Sequence, residues 1–251
     1  VGHDRVVARQ LAERGWIGMT WPVAVGGGGR SALERFVVFE ALIGEGAPLA
    51  SAYFADRQIG PTLLRYATAE QQARWLPGIL DGTAVWCVGM SEPDAGSDLA
   101  SLATRATPTT GADGEAGWVL EGQKVWTSYA TFAQWGICLA RTDPDAAKHR
   151  GISYLVVDMT APGVDIRPLR QITGESEFNE VFLDGVFVPA DRLVAIPAQP
   201  TLAITGITPD PLPKPVLVAA HELLGLIRGA GGPDELLRPA VAAGSTRERT
   251  Q

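Results

Sequence analysis

The sequence predicts an α+β protein in three successive parts: an α-helical domain over residues 1–84, a small antiparallel β-barrel over 85–194 and an irregular tail over 195–251. Three observations support this prediction. Apolar residues recur at helical spacing as far as Leu80, short apolar runs separated by turn residues follow from Val85, and the tail contains no Trp, Tyr or Phe. Because strand-like runs do not alternate with helices after Val85, a doubly wound parallel sheet is disfavoured.

The pattern of the first part predicts several helices. Val6–Arg14 has the character of the end of a helix. Ser31 and Glu34 are three residues apart, the spacing of a capping box, which predicts that another helix begins there. Two further helices are predicted over Asp56–Ala67 and over Thr68–Leu80, with the first residue of the latter as its N-cap.

The second part is predicted to consist of short strands. Glu121-Gly122 and Asp184-Gly185 predict turns within two of the apolar runs, and Thr107–Ala116, rich in Thr, Gly and Ala, predicts a loop. Several short strands with frequent turns are typical of a small barrel or sandwich. The predicted strands are Val85–Met90, Gly117–Trp126, Trp135–Arg141, Ile152–Asp158, Val164–Leu169 and Asn179–Val188.

The third part differs in composition from everything before it. It is rich in Pro, Ala and Gly, and only Val216–Ile227 has the pattern of a helix. We therefore expect a divergent, largely disordered tail. The chain also begins without Met, which predicts that the natural N-terminus lies upstream and that the helical domain is truncated at its start.

Composition excludes several classes of function. The net charge of -7 argues against nucleic acid as a partner. No apolar run is long enough to span a membrane, and the start lacks the pattern of a signal peptide. Cys87 and Cys138 lie in apolar runs, so we expect free buried thiols and a cytoplasmic setting. His3, His149 and His221 lie far from one another and from both cysteines, so no metal site is expected.

The loop Ser91–Asp98 follows a predicted buried strand and is the first candidate for a binding site. Pro93 stops strand pairing, and Gly96 permits a turn or a close approach that a side chain would block. Ser91, Ser97 and Asp98 place short oxygen-bearing side chains around this turn, and such a loop can offer hydroxyls and free backbone N–H groups to a polar ligand. Taken alone, the same residues are also consistent with the end of an ordinary strand.

Three motifs in order resemble the acyl-CoA dehydrogenase family. The first is Cys87–Asp98, which is similar to the family's Thr/Ser-Glu-Pro-x-Ala-Gly-Ser-Asp signature. The second is Gly122–Ser128, similar to its Gly-x-Lys-x-Trp strand, and the third is Phe178–Pro189, similar to the strand that ends its β domain. Trp21-Pro22 followed by Gly26-Gly27 resembles a further loop of the family, with Val25 where an aromatic is usual. The resemblance covers Leu11–Val194.

The resemblance implies that FAD is held on the barrel. Ser91 would lie near the pyrimidine edge of the flavin, Trp126 against its dimethylbenzene side, and Ser97 against both the FAD phosphate and the acyl-CoA. From the residues alone, Trp126 is more typical of an ordinary core aromatic, and Ser128 could equally be a strand-end hydroxyl bonded to backbone. The residues implied to bind the cofactor are Val88, Gly89, Met90, Ser91, Gly96, Ser97, Trp126, Thr127 and Ser128.

The implied reaction is α,β-dehydrogenation of an acyl-CoA thioester, with hydride transfer to FAD. A carboxylate takes the α proton, and electron-transfer flavoprotein is the implied electron acceptor. The acyl group is not specified by the sequence, so a fatty acyl chain and a sterol side chain are both open. In the family, the base lies in a C-terminal helical domain to which residues 195–251 do not align, so the base is not identified here.

Glu222 and Glu235 are expected to be solvated charges rather than the base. The abrupt change at residue 195 suggests a truncated or frame-shifted reading frame, and we expect the chain alone to have little or no dehydrogenase activity. The alternative is a non-catalytic family member that acts as a scaffold or partner subunit for a complete chain. A homo- or hetero-oligomer is compatible with either hypothesis.

Overall fold

The computed structural model describes residues 2–147 and 150–194 and has the predicted α+β architecture. Helices occupy the chain up to Leu80, and a largely antiparallel sheet occupies Trp86–Val194. Predictions about the tail, including the helix at Val216–Ile227, its disorder, His221, Glu222 and Glu235, lie outside the described residues, as does His149.

The described part of the chain contains five α-helices before the first strand. Asp4 caps the first, because its carboxylate accepts the backbone N–H groups of Val6 and Val7. No helix within residues 2–147 and 150–194 is both long and apolar enough to cross a membrane. The helices are α1 (Arg5–Glu13), α2 (Ala32–Gly44), α3 (Ala50–Phe54), α4 (Gly60–Tyr66) and α5 (Ala69–Leu80).

Both predicted N-caps are confirmed. At α2, the Ser31 hydroxyl accepts the N–H of Glu34, whose carboxylate accepts the N–H of Ser31 in return. At α5, Thr68 and Gln71 form the same reciprocal pair at 3.3 and 3.0 Å. Each box satisfies two backbone donors that the first turn of a helix leaves unpaired.

Replacing Thr68 with Ala is expected to lower the free energy of unfolding by about 1 kcal/mol, because the N–H of Gln71 loses its acceptor. Denaturant unfolding followed by circular dichroism measures the change. Thr68→Ser keeps a hydroxyl at the cap and is the matched control. Equal losses in the two variants would show that the cap is not the cause.

The helix predicted over Asp56–Ala67 is longer and less regular than expected. The chain is helical from Ala50, and a π-helical turn over Ala55–Ile59 separates α3 from α4. Pro61 follows this turn and has no N–H to donate, which disfavours a continuous α-helical ladder there.

The Asp56 carboxylate accepts the N–H of Gly18 at 2.7 Å, and burial raises the pKa of this carboxyl. This bond ties the Trp16–Arg30 segment to the helix.

The described part of the chain forms one eight-stranded sheet. Its strands are β1 (Trp86–Gly89), β2 (Arg105–Thr110), β3 (Ala116–Ser128), β4 (Trp135–Arg141), β5 (Ile152–Asp158), β6 (Val164–Leu169), β7 (Phe178–Pro189) and β8 (Leu193–Val194). They are arranged in the order β6-β7-β3-β2-β4-β5-β8, with β1 paired to β4 off this path. Most pairs are antiparallel, as predicted, but β1 and β2 each run parallel to β4.

The two predicted turns inside strands are wrong, because both dipeptides belong to one β-bulge. Between β3 and β7, Glu121 alone faces Asp184 and Gly185, and both strands continue past this point. Gly185 has a φ of 66°, which few residues other than Gly adopt readily. The turn-like sequences therefore bend paired strands without ending them.

The prediction of a loop over Thr107–Ala116 is also wrong in its first half, because Thr107–Thr110 belongs to strand β2, Arg105–Thr110. Only Ala106 of this strand is buried in the core, so the run lacks the apolar alternation that predicts a strand. Its Thr residues are β-branched and suit an extended backbone that pairs with β3.

Two apolar cores hold the described part together. One lies between helices and sheet and includes Trp21, Trp75 and Trp86, while the other lies within the curved sheet around Leu120 and Leu155. The prediction of free, buried thiols at Cys87 and Cys138 is confirmed, and burial raises the pKa of Cys87 to about 12. Val88 and Met90, at the end of β1, pack against the first core, and Cys87 of the same strand belongs to the second, so both cores meet at this strand.

Candidate functional site

The candidate loop begins where β1 ends. Val88 and Gly89 lie in β1 and pair with Ile137 and Cys138 of β4. A Cβ at Gly89 would lie 3.2 Å from Cγ of Lys124, so only the smallest residue fits here without displacing that side chain. Beyond the strand, Met90 and Ser91 are half-buried.

A tight turn follows Ser91. The backbone N–H groups and carbonyls of Glu92 and Ala95 bond to each other in both directions, at 3.0 and 3.2 Å. Glu92 and Ala95 are buried, whereas Gly96 and Ser97 beyond the turn are exposed. The turn therefore presents Gly96 and Ser97 at the surface while its base is fixed inside the protein.

Gly96 needs no glycine-specific backbone conformation, contrary to one of the two roles considered for it. Its φ lies outside the left-handed region, and a Cβ built there would meet no atom of the described chain within 4 Å. The remaining role, close approach by a ligand, stays a prediction. The open space beside the Gly96 backbone is compatible with it.

The end of β3 carries a second bulge that reorients Trp126. Val125 and Trp126 together face Glu180 of β7, and Trp126 has a φ of 60°. Its side chain is 60% exposed and makes an edge contact with Phe178, with ring centroids 5.9 Å apart. Trp126 is therefore not a core aromatic. A bulge with a non-glycine residue at positive φ is a feature common at functional sites.

A backbone hydrogen bond joins the two motifs next to Ser91. The N–H of Val125 donates to the carbonyl of Ser91 at 2.9 Å, next to the exposed Trp126. Sequence reasoning placed Ser91 and Trp126 on a common ligand, and the structure places them on adjoining backbone. Within the described residues, no hydrogen bond joins Gly96 or Ser97 to Trp126–Ser128. These two residues are assigned to the candidate site only because they share a loop with Ser91.

Thr127 and Ser128 differ in their surroundings. Thr127 is buried, its carbonyl accepts the Asn179 side-chain N–H at 2.9 Å, and its hydroxyl has no partner among the described residues. Ser128 is half-buried. The hydroxyls of Ser91, Ser97 and Ser128 form no hydrogen bond with any other described residue, so they are free to meet a ligand.

Behind this edge lies a buried ion pair. Nζ of Lys124 lies 2.8 Å from Oε1 of Glu92, and the two side chains are only 1% and 7% exposed. Burial is the largest single influence on the Glu92 carboxyl, and by itself it would raise the pKa. The Lys124 charge and the hydrogen bonds that Glu92 accepts act in the opposite direction and together outweigh burial. The pKa of Glu92 therefore lies below its usual value.

This shift has a testable consequence for stability. Because its folded-state pKa is below the unfolded value of about 4.3, ionised Glu92 stabilises the fold above that pH, and the contribution is lost as pH falls through the folded-state value. We expect the difference in free energy of unfolding between wild type and Glu92→Gln to shrink from about pH 6 to below pH 4. Urea unfolding across this range measures it, and a constant difference would contradict it.

Sequence reasoning gave no role to Glu92, Lys124 or Asn179, although all three lie in quoted motifs. The strand pattern held a signal, since Lys124 is at an inward-facing position of β3, in phase with the buried Leu120. A charged residue at such a position indicates a buried partner of opposite charge. Asn179 begins a run of alternating buried residues in β7 and carried no comparable signal.

The chemistry available at this edge is hydrogen bonding beside an exposed aromatic surface. Three free hydroxyls, an exposed indole and an unobstructed backbone at Gly96 suit a ligand with a planar apolar part and polar or anionic groups. No group of three or more His, Cys, Asp or Glu side chains in the described part of the chain could hold a metal ion. The donor set fits a dinucleotide cofactor such as FAD.

Comparison with known families identifies the chain. The family model "Acyl-CoA dehydrogenase, N-terminal domain" matches residues 2–83, and "Acyl-CoA dehydrogenase, middle domain" matches residues 87–186. The chain belongs to the acyl-CoA dehydrogenase family. The resemblance stated from the three motifs is therefore confirmed, and the family is one of FAD-dependent oxidoreductases.

The relatives agree with this assignment. Acyl-CoA dehydrogenase IpdE1 of Mycolicibacterium smegmatis is 46% identical over 76% of this chain and 50% of its own length. Acyl-CoA dehydrogenase FadE34 of Mycobacterium tuberculosis is 51% identical over 73% of this chain and 25% of its own length. The chain thus spans half the length, or less, of these relatives of the acyl-CoA dehydrogenase family.

Solved structures show the same fold. The steroid ACAD Tcur3481-Tcur3483 superposes with a TM-score of 0.71 at 38% identity, covering 78% of this chain and 50% of that one. The ChsE4-ChsE5 complex of Mycobacterium tuberculosis gives 0.72 at 33%, covering 80% and 50%. A glutaryl-CoA dehydrogenase of Mycobacterium smegmatis, solved in complex with FADH2, gives 0.67 at 26%, also covering 80% and 50%.

Proposed function

We propose that this chain forms the flavin-facing part of an enzyme that dehydrogenates an acyl-CoA thioester between its α and β carbons. The observation that carries the proposal is the joining of the two family motifs at one edge, through the bond from the Val125 N–H to the Ser91 carbonyl. The family membership and a relative solved with FADH2 support FAD as the cofactor. We propose 1–84, 85–194 and 195–251 as the domain limits.

In this proposal each exposed group at the edge has a separate task. The Ser91 hydroxyl donates a hydrogen bond to the edge of the ring system, where it stabilises negative charge. The exposed Trp126 indole supplies an apolar surface that excludes water from one side. The Ser97 hydroxyl faces phosphate oxygens and the acyl-CoA, and the bare backbone at Gly96 lets them approach. When bound, FAD would supply the acceptor for the hydride that leaves the β carbon.

The proposed reaction also needs a base for the α proton, and neither buried carboxylate of the described residues is suited to be one. Glu92 is held by Lys124 and by two backbone N–H groups, and its lowered pKa makes it a poor proton acceptor. Asp56 is buried against Gly18 in the helical part. We therefore assign no described residue as the base.

The substrate class is proposed from the relatives. One solved relative, Tcur3481-Tcur3483, is a steroid ACAD, so a thioester of a sterol side chain or a similarly bulky acid is proposed ahead of a simple fatty acyl chain. Electron-transfer flavoprotein is the proposed acceptor of the electrons, as the resemblance implies.

A second candidate is a partner subunit that binds flavin or supports a complete chain without supplying the base. The observation that favours it is that one solved relative is a complex of two differently named chains, ChsE4 and ChsE5. In this role the edge at Ser91–Ser97 would still hold cofactor, and the second chain would supply the base.

Anaerobic titration of the FAD-loaded chain with a steroid side-chain CoA thioester tests the reaction. We expect loss of visible flavin absorbance, either for the chain alone or only after a complete family member is added, in excess of the absorbance that the added protein loses by itself. The first result supports the enzyme and the second the partner subunit. Unchanged absorbance in both cases, with steroid and fatty acyl thioesters alike, would contradict the proposed reaction.

A further inference from the structure

We propose that Glu92 and Lys124 are positioning residues that hold the Ser91 loop in its ligand-binding shape before any cofactor arrives. The inference rests on the proposed function, because the ligand that the loop would meet is FAD. Neither side chain is exposed enough to touch a ligand itself, at 7% and 1% of the side-chain surface. Any effect on binding must therefore act through the backbone that the pair holds.

Lys124 joins its own strand, β3, to the Ser91 loop and to β4. Its ammonium group donates to the carbonyl of Met90 at 3.3 Å, to the carboxylate of Glu92 at 2.8 Å and to the carbonyl of Leu139 at 2.6 Å. Met90 and Glu92 lie on either side of Ser91 in the chain, while Leu139 is in β4. One side chain of β3 thus fixes both neighbours of Ser91 against the sheet.

Glu92 extends the network in the other direction. Its two carboxylate oxygens accept the backbone N–H groups of Ala103 and Thr104, at 2.6 and 3.0 Å. These residues begin the run into β2 and close the loop that contains Gly96 and Ser97. The carboxylate therefore anchors the start of the loop to its end across 11 and 12 residues of chain.

The Ser91 peptide is the point on which these bonds converge. Its own carbonyl accepts the Val125 N–H at 2.9 Å, and both neighbouring residues are held by Lys124. A buried ion pair has a desolvation cost that a well-packed apolar pair does not, so it is a poor device for stability alone. Its charged hydrogen bonds are directional, however, and can fix several backbone segments at once. Supporting contacts of this kind keep binding groups in a productive geometry.

The test compares FAD binding with folding in the full 251-residue chain. The variant Glu92→Gln/Lys124→Met leaves no charge buried and keeps one acceptor for the N–H groups of the loop. We expect it to fold cooperatively, to bind FAD about 10–100 times more weakly, as loss of supporting residues does at metal sites, and to show an altered visible spectrum of the bound flavin. Arg105→Gln/Glu121→Gln removes an exposed pair and is the matched control.

The outcomes separate this inference from the proposed function. A double variant that folds and binds FAD within twofold of wild type, with the wild-type spectrum, overturns the positioning role alone. A folded wild-type chain that binds no FAD overturns the proposed function and this inference with it.

Amide hydrogen exchange on the wild-type chain without FAD provides a second test that needs no variant. We expect the N–H groups of Val125, Ala103 and Thr104 to be protected already, because the pair preforms the loop. Exchange at the rate of an unstructured chain, with protection only after FAD is added, would overturn the inference even if the double variant does not fold.

Discussion

Replacing Lys124 with Met is expected to lower the free energy of unfolding by about 3–5 kcal/mol, which would be among the largest effects of any single change in the described chain. The Glu92 carboxylate would remain 7% exposed without its partner charge. The carbonyls of Met90 and Leu139 would lose a donor as well. Removing one member of a buried pair costs far more than the pair is worth, because the other charge stays buried and unpaired.

Denaturant unfolding of wild type and Lys124→Met measures the loss. The control is Arg105→Met, which breaks the ion pair with Glu121 at a site where both side chains are more than half exposed. That change should cost no more than about 1 kcal/mol, as is typical of surface pairs. Similar losses in the free energy of unfolding for the two variants would show that the ion pair of Lys124 with Glu92 is not buried in solution.

Replacing Gly96 with Val is expected to weaken FAD binding at least tenfold, or about 1.4 kcal/mol, while leaving the free energy of unfolding nearly unchanged. The two effects separate because no atom of the described chain lies within 4 Å of a Cβ at this position. A side chain there would occupy only the space into which we propose the cofactor approaches the backbone.

Isothermal titration with FAD and denaturant unfolding together test this prediction. Gly44→Val is the matched control, because a Cβ added at Gly44 would also meet open space and Gly44 lies in α2, far in sequence from the proposed site. The control should bind FAD as wild type does. Wild-type affinity in Gly96→Val would show that the backbone at Gly96 does not face the cofactor.

Most helices and strands could be predicted because their apolar pattern reflects their burial. Trp135–Arg141, Ile152–Asp158 and Val164–Leu169 have the predicted bounds, and Thr68 caps α5 as expected. The β2 strand was missed because a run with one buried residue, Ala106, has no periodic apolar signal. Local pattern predicts an element only where that element contributes regularly to a core.

The misread dipeptides have a different cause. Asp184-Gly185 has the composition of a hairpin turn, and nothing local tells a turn from a bulge. The distinction depends on Glu121, which lies more than 60 residues earlier and faces the dipeptide across the sheet. Only the pairing of β3 with β7, a long-range feature, decides that the strand continues.

The site was predicted as a set of residues and not as a geometry. The motifs identified Ser91 and Trp126, but the bond from Val125 to Ser91 and the reorientation of Trp126 by a bulge depend on tertiary contacts. The pair of Glu92 and Lys124 lies 32 residues apart in sequence. Both residues belong to the motifs found in the sequence, but only the folded structure shows that they are buried against each other.

The most direct test of the central claim is a titration of the purified chain with FAD, followed by quenching of flavin and Trp fluorescence. If Ser91–Asp98 and Trp126–Ser128 form one flavin-holding edge, binding should saturate at one FAD per chain. Trp126→Ala should then weaken binding, because the exposed indole is part of that edge. A cooperatively folded wild-type chain that shows no saturable FAD binding, or binding that Trp126→Ala leaves unchanged, would contradict the claim.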